Sequence, residues 1–265
     1  MTLINMQAIL DICRKHLGSE ARLLAPQVGS NGTQVLRVAT AGGHVIVKRH
    51  RSPERHAQEV YAYGNWTAAL GDQAPHLLGV DQDAQAIILS AAPGAPMAES
   101  SLSRAEEQKA FVSMGEALQQ FHAAAPTRDD TDMVAWLAER GSRWLDAARH
   151  VVPPSDRITI KAHLRALEGL GRLPTVPCHL DFTPRNILVG SRGITVIDFE
   201  HARYDLAARD VVRLATRTWP RRQGSRSAFL HGYGALTDVD GLVVEHCTYL
   251  DRLTAAARAA AIDLP

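Results

Sequence analysis

Two short segments contain the residues most able to take part in catalysis. The first, HLDFTPRN, runs from His179 to Asn186, and the second, DFE, begins at Asp198. An apolar run follows Asn186, glycines mark a turn, and a second apolar run leads into Asp198, a pattern that predicts a β-hairpin. Such a hairpin would hold Asn186 and Asp198 at neighbouring ends, where one Mg²⁺ could touch both. Asp181 could then orient an attacking hydroxyl, and phosphoryl transfer from a nucleotide requires little more.

Upstream, Lys48 ends the alternating strand VIVK, which would aim its ammonium at a cleft where it could hold nucleotide phosphates. Taken alone, a solvated lysine at a strand end is the commoner case. A glycine-rich turn before it and a helix with acids after it favour the phosphate-binding role. Glu59 is the preferred partner of Lys48, because apolar neighbours would press its helix against the sheet. Glu54 is the alternative, although its place in the first helical turn also suits the helix dipole.

The glycine-rich turn consists of Gly29, Ser30, Asn31 and Gly32. Its glycines allow close backbone approach, and its amides and hydroxyls could donate hydrogen bonds to phosphates. The turn lacks the Lys-Ser/Thr ending of a Walker loop and a full G-x-G-x-x-G pattern, so a plain hairpin turn remains the alternative.

Residues around the acidic segments are expected to support them. The imidazole of His179 is predicted to brace the loop through a hydrogen bond to the backbone, and Arg185 to contact a phosphate or stack within the loop. Asp205 and Asp210 are predicted to cap and brace the helix that follows, with Asp205 as a suitable N-cap.

Composition limits the range of partners. The 265 residues carry a formal charge of +1, so no strong field would attract nucleic acid or an acidic membrane surface. The three cysteines match no paired metal-ligand spacing and suit a reducing cytoplasm. No apolar span of membrane length is present. We therefore expect a cytoplasmic protein without nucleic-acid or membrane partners, and the sequence leaves its oligomeric state open.

The order of predicted elements changes along the chain. A helix over 3–17 precedes an antiparallel meander of strands over 22–28, 34–38 and 44–48, a helix over 54–70 and a strand over 86–89. After the break at Pro93-Gly94, helices are predicted over 104–124, 133–150, 155–170, 205–217, 225–233 and 239–258, the first opening with a capping box at Ser103 and Glu106. This order predicts an α+β, two-lobed fold: a small antiparallel-sheet lobe over 1–92 and a larger, mainly helical lobe over 93–265, with the motif hairpin facing their join.

With these residues in place, the chain resembles the aminoglycoside phosphotransferase and choline kinase group, relatives of the protein kinases, over nearly its whole length. The resemblance implies a bilobal protein-kinase-like fold that uses ATP or GTP with Mg²⁺. It implies a hinge at 88–91, including Leu89 and Ala91, whose backbone receives the purine. Arg185 departs from the group, which often has glycine there. The remaining roles implied are catalysis by Asp181 in the H-x-D-x-x-x-x-N loop, metal binding by Asn186 and Asp198, and phosphate binding by Lys48 paired with Glu59.

The acceptor is constrained by charge. From residue 201 onward the chain carries nine arginines against seven acids, which argues against a polycationic acceptor and favours a neutral or anionic one. Candidate acceptor contacts are Glu200, Arg217, Arg221 and Glu245. We expect transfer of the γ-phosphate to a hydroxyl of a small molecule, foremost an antibiotic. The alternatives are a metabolic kinase of choline, homoserine or a sugar, and a nucleotide-binding pseudokinase that acts as an interaction module.

Overall fold

The structure is a computed structural model and describes residues 6–18, 21–28 and 33–262. The strands are β1 (Ala21–Val28), β2 (Gln34–Thr40), β3 (Gly43–Arg49), β4 (Leu77–Asp81), β5 (Ala86–Ser90), β6 (Ala95–Pro96), β7 (Val176–Cys178), β8 (Ile187–Gly190), β9 (Gly193–Val196) and β10 (Arg203–Asp205). The α-helices are α1 (Met6–Leu17), α2 (Pro53–Asn65), α3 (Arg104–His122), α4 (Met133–Ala147), α5 (Pro154–Glu168), α6 (Arg209–Arg213), α7 (Ser225–Tyr233) and α8 (Asp238–Ala259).

The chain forms two compact units. One contains the residues up to 100 together with 185–202, and the other contains 101–184 and 203–265. The lobe boundary after residue 92 stays a prediction, and the units differ from it by assigning 93–100 and 185–202 to the first unit. The pairing of β6 with β8 explains this assignment.

The first unit is built on a five-stranded antiparallel sheet in the order β1-β2-β3-β5-β4. The predicted meander and the strand at 86–89 are confirmed. β4 was not predicted, since Gly79 interrupts a short run that gives no clear alternation. One face of the sheet packs against Ile9, Ile12 and Cys13 of α1. Lys15 of this helix forms an ion pair with Asp81, with Nζ 2.9 Å from Oδ2.

The helix predicted over 54–70 is shorter in the structure. Ser52 caps α2 by accepting a hydrogen bond from the Arg55 amide, and the helix ends at Asn65. A 3₁₀-helix over Thr67–Gln73 follows, in which Gly71 has a φ of 52°. Glycine and asparagine are weak helix formers, so the pair at 64–65 accounts for the early end.

The predicted hairpin is confirmed as β8 and β9, with Ile187 paired to Val196. The segment before β6 runs very close to it. A Cβ on Gly94 would lie 2.4 Å from the Val189 carbonyl oxygen, and the φ of Gly94 is 108°. Glycine is therefore required at this point by both space and backbone conformation.

The second unit is mainly helical. The capping box at Ser103 and Glu106 is confirmed as the start of α3, and the helices predicted near 133–150, 155–170, 225–233 and 239–258 are confirmed as α4, α5, α7 and α8. The backbones of α3 and α7 are in direct contact. A Cβ on Gly115 would lie 2.2 Å from the Phe229 carbonyl oxygen, and one on Gly232 would lie 2.1 Å from the Val112 carbonyl oxygen.

The helix predicted over 205–217 is wrong in its first part. Residues 203–205 form β10, which pairs with β7, and α6 begins only at Arg209. Asp205 does not cap this helix: it is fully buried at the end of β10, and Arg209 and Arg203 contact its Oδ2 at 2.6 and 3.1 Å. α6 continues into a π-helix over Leu214–Thr218 and a 3₁₀-helix over Trp219–Arg221. Across the part of the chain that the structure describes, no helix is both long and apolar enough to cross a membrane.

Candidate active site

Lys48 lies at the centre of a buried charge cluster in the first unit. Its Nζ is 2.8 Å from Glu59 Oε2 and 3.0 Å from Glu200 Oε2, and it also contacts Asp198 Oδ1. The contact with Asp198 is a hydrogen bond, whereas Glu59 Oε2 lies close to the ammonium without hydrogen-bond geometry. Burial by itself is the largest effect and would lower the pKa of Lys48, but Glu59, Asp198 and Glu200 together raise it above its ordinary value. Lys48 is therefore a cation under all ordinary conditions.

The partner of Lys48 on α2 is Glu59. This side chain is fully buried, whereas Glu54 is exposed in the first turn of the helix. Two of the three apolar neighbours that favoured Glu59 are buried, and one of them, Tyr63, packs edge-on against Phe199 with ring centroids 5.4 Å apart. The side of α2 that faces the protein interior thus determines which acid reaches the lysine.

His50 belongs to the same cluster and was not singled out from the sequence. It lies two residues after Lys48, and the period of two along a strand brings both side chains to one face. Its Nε2 is 2.8 Å from Glu59 Oε2 and its Nδ1 is 3.7 Å from Glu200 Oε2, although neither contact has hydrogen-bond geometry. The buried imidazole therefore stands between the two buried glutamates that hold Lys48.

A cavity of about 280 Å³ opens beside this cluster. Asn186 and Asp198 line it together with Lys48, Glu59 and Glu200. The Asn186 carbonyl accepts a hydrogen bond from the Ile197 amide at 3.0 Å, which extends the hairpin pairing up to the two candidate ligands. Asp198 has a φ of 71°. A carboxylate and an amide oxygen on one cavity wall fit the preference of Mg²⁺ for hard oxygen ligands.

Glu200 was offered as an acceptor contact, and the structure corrects this interpretation. Its side chain is buried against Lys48, and its Oε2 lies 3.5 Å from the Thr33 hydroxyl. The left-handed conformation at Asp198 turns the chain sharply between the two acids, which sequence spacing does not reveal. Glu200 therefore belongs to the lysine cluster.

The predicted hinge also needs one correction. Leu89 lines the cavity as expected, but Ala91 is not among its lining residues, and the Ala91 amide donates to the His44 carbonyl at 3.1 Å. The Ser90 amide is likewise engaged, by the His76 carbonyl at 2.9 Å. Ala92 lines the cavity one residue further on. The glycine-rich turn Gly29, Ser30, Asn31 and Gly32 lies outside the described residues.

In the second unit, Asp181 lies on a tightly braced loop. The Asp181 amide donates to Nδ1 of His179 at 3.2 Å, the kind of imidazole-to-backbone contact predicted for this histidine. Leu180, between them, has a φ of 60°, which is uncommon for a residue with a branched side chain. The Asp181 carboxylate is buried and contacts the guanidinium of Arg213.

Asp210 anchors this loop from α6. Its carboxylate accepts hydrogen bonds from the amides of Leu180 and His179, the latter at 2.8 Å, and lies 3.0 Å from His122 Nε2. Burial is the largest effect on the pKa of Asp210 and would raise it, but His122 and then His179 lower it overall. The sequence indicated a bracing role for Asp210 toward its own helix. The structure shows that it braces the loop that carries Asp181.

The other candidate contact residues lie apart from one another. Arg217 pairs with Asp251 on α8, Arg221 borders an open depression, and Glu245 is exposed on α8. Arg185 lies in a 3₁₀-helix over Pro184–Asn186. Arg213, which the sequence did not single out, contacts Asp181 directly.

A sequence model of the phosphotransferase enzyme family matches residues 24–242, which is most of the chain. The chain belongs to this family. The predicted resemblance, the kinase-like α+β fold class and the assignment as an alcohol-group phosphotransferase are thereby confirmed. No curated protein matched the sequence significantly.

Solved structures share the fold. A macrolide 2′-phosphotransferase from Brachybacterium faecium is 21% identical, with a TM-score of 0.64 over 97% of this chain and 93% of its own. A choline kinase from Streptococcus pneumoniae is 17% identical, with a TM-score of 0.69 over 98% and 93%. A spectinomycin phosphotransferase, solved with ADP and spectinomycin, is 13% identical, with a TM-score of 0.60 over 93% and 84%.

Proposed function

We propose that this phosphotransferase moves the γ-phosphate of ATP or GTP to a hydroxyl of a small molecule, with an antibiotic as the foremost candidate. The observation that carries the proposal is a single cavity lined by Lys48, Glu59, Asn186 and Asp198 together with the hinge residue Leu89. A phosphate-binding cation, oxygen ligands suited to Mg²⁺ and an apolar wall for a base thus lie in one place. The ADP bound to the spectinomycin phosphotransferase supports the use of a nucleotide.

Lys48 is proposed to hold the α and β phosphates. Since three carboxylates lie against its ammonium, one of them must move away before a phosphate can bind. Asp198 is the most exposed of the three acids, at 22%, against 0% for Glu59 and 3% for Glu200. Mg²⁺ held by Asp198 and Asn186 would neutralise phosphate charge. Lys48 would then keep its ion pairs with Glu59 and Glu200 and donate to the nucleotide phosphates in place of Asp198.

The purine is proposed to bind along the hinge. Because the Ser90 and Ala91 amides already donate within the sheet, the Ala92 amide is the better candidate for a hydrogen bond to the base. This moves the predicted contact one residue along the chain from Ala91.

Asp181 is proposed to orient the acceptor hydroxyl and to accept its proton late in the transfer. Its contact with Arg213 holds the carboxylate in one orientation on a loop that Asp210 anchors. A guanidinium beside the reacting acid supports the expectation of a neutral or anionic acceptor.

The described cysteines are free thiols, all buried, which supports the proposed cytoplasmic location.

The test combines nucleotide binding with a coupled ADP-release assay over antibiotics, choline, homoserine and sugars. Asp181→Ala should bind ATP with nearly wild-type affinity and lose turnover by roughly 10²- to 10⁴-fold. Full activity in this variant would reject the role of Asp181. Nucleotide binding without transfer to any acceptor would instead favour the pseudokinase alternative.

A further inference from the structure

Three arginines follow one another at intervals of four residues after the second acidic segment: Arg213, Arg217 and Arg221. The first contacts Asp181. Arg213 Nε also lies 3.4 Å from Asp251 Oδ1, and Arg217 Nε lies 3.0 Å from Asp251 Oδ2. Because one carboxylate on α8 binds both guanidiniums, the first two arginines share one side of their helix.

The helix type changes along this row of arginines. In a regular α-helix, residues four apart drift by about 40° around the axis, since one turn takes 3.6 residues. The π-helix over Leu214–Thr218 has wider turns, which counter that drift between Arg213 and Arg217. Short π-segments of this kind often occur at functional sites.

Arg221, in the 3₁₀-helix that follows, lines an open depression of about 560 Å³ together with Arg104, Glu107, Arg222 and Gln223. Arg222 is paired with Glu107. Among the residues that the structure describes, neither Arg104 nor Arg221 has an ion-pair partner. Two guanidiniums therefore face this depression without a counter-charge from the protein.

The charges of this region are unbalanced. Five arginines (Arg104, Arg213, Arg217, Arg221 and Arg222) meet three carboxylates (Asp181, Asp251 and Glu107), which leaves two positive charges in excess. The whole chain has a formal charge of only +1. Guanidinium groups bind phosphate, sulfate and carboxylate through paired, planar hydrogen bonds.

We propose that the depression bordered by Arg104 and Arg221 binds an anionic group of the acceptor, a phosphate, sulfate or carboxylate, while the acceptor hydroxyl lies at Asp181. This inference rests on the proposed function and names the acceptor class. Arg221 lies eight positions after Arg213, a span on the order of 12 Å if each position adds about 1.5 Å as in an α-helix. The acceptor is thus an extended alcohol with its negative group on the order of 12 Å from the reacting hydroxyl.

The experiment compares matched neutral and anionic alcohols, such as a disaccharide and its aldonic acid or phosphate ester, in the coupled ADP assay. The wild type should prefer the anionic member of each pair. The double variant R104Q/R221Q should lose about 10- to 100-fold in kcat/KM for anionic acceptors, as expected for the loss of charge-assisted hydrogen bonds. Its KM for ATP should not change. R226Q, at an exposed arginine of α7, is the control with the same kind of charge change.

A second measurement does not depend on turnover. Inorganic pyrophosphate, titrated by calorimetry in the presence of saturating magnesium and ADP, should bind to the wild type and to R226Q but not to R104Q/R221Q. Equal use of neutral and anionic acceptors, or unchanged preference in the double variant, would overturn the proposal. If no alcohol is phosphorylated at all, the proposed function fails, whereas arginine-dependent pyrophosphate binding would still support the anion subsite.

Discussion

The anchoring of the Asp181 loop by Asp210 allows a quantitative prediction. Asp210→Ala removes the acceptor for the buried amide of His179 and for the amide of Leu180. Each amide left without a partner costs about 1–3 kcal/mol, so the two together cost about 2–6 kcal/mol. We therefore expect the free energy of unfolding to fall by about 2–6 kcal/mol.

The assay is urea denaturation at pH 7, with the free energy of unfolding obtained by linear extrapolation. Asp210→Asn keeps one acceptor oxygen and should lose less than the alanine variant. Asp146→Ala, at an exposed position on α4, is the matched control and should change stability by no more than about 0.5 kcal/mol. Turnover should fall in Asp210→Ala, since its loop carries Asp181, while nucleotide affinity should hold.

The pH dependence of this effect has a defined sign. The pKa of Asp210 is lowered in the folded protein, and that of an unfolded Asp is about 3.9. Its contribution is therefore fully present above about pH 4 and is lost as the pH falls through the folded value. The stability difference between wild type and Asp210→Ala should be constant near neutrality and should narrow in acid. A difference below about 1 kcal/mol at pH 7, or one that widens in acid, would refute the reasoning.

Three further predictions concern the lysine cluster and the helix contact. Lys48→Ala should abolish nucleotide binding in calorimetry. It should also destabilise the protein by about 3–5 kcal/mol in denaturant titration, because Glu59 and Glu200 stay buried without their cation. An unchanged denaturation midpoint would contradict the ion pairing within the cluster. In Asp198→Asn, removal of Mg²⁺ by a chelator should no longer change the affinity for ADP, whereas it should lower the affinity of the wild type. Equal responses of the two proteins would exclude Asp198 as a metal ligand. Gly115→Ala should lower the melting temperature because its Cβ would lie 2.2 Å from a carbonyl oxygen. Gly241→Ala, whose Cβ would meet no atom within 4 Å, should raise the free energy of unfolding by up to about 1 kcal/mol. Similar effects from both variants would argue against the close contact between α3 and α7.

The sequence by itself determined the family and the residues of the two acidic segments. These features are local: a strand, a turn and a loop carry their signal within a few positions, so the hairpin at 187–196 and the meander of β1, β2 and β3 could be predicted from periodicity and turn residues. The preference for Glu59 over Glu54 also came from local pattern, since apolar neighbours indicate which side of a helix is buried.

The tertiary structure alone decided which side chains meet over long distances in the chain. Glu200 lies 152 positions from Lys48 and joins it because of a left-handed turn at Asp198. Asp210 reaches back to the amides of the Asp181 loop, and Arg213 reaches Asp181 itself. Each of these contacts depends on how separate elements pack. No periodicity within one element encodes that packing, so the sequence named the chemical groups and the fold assigned their partners.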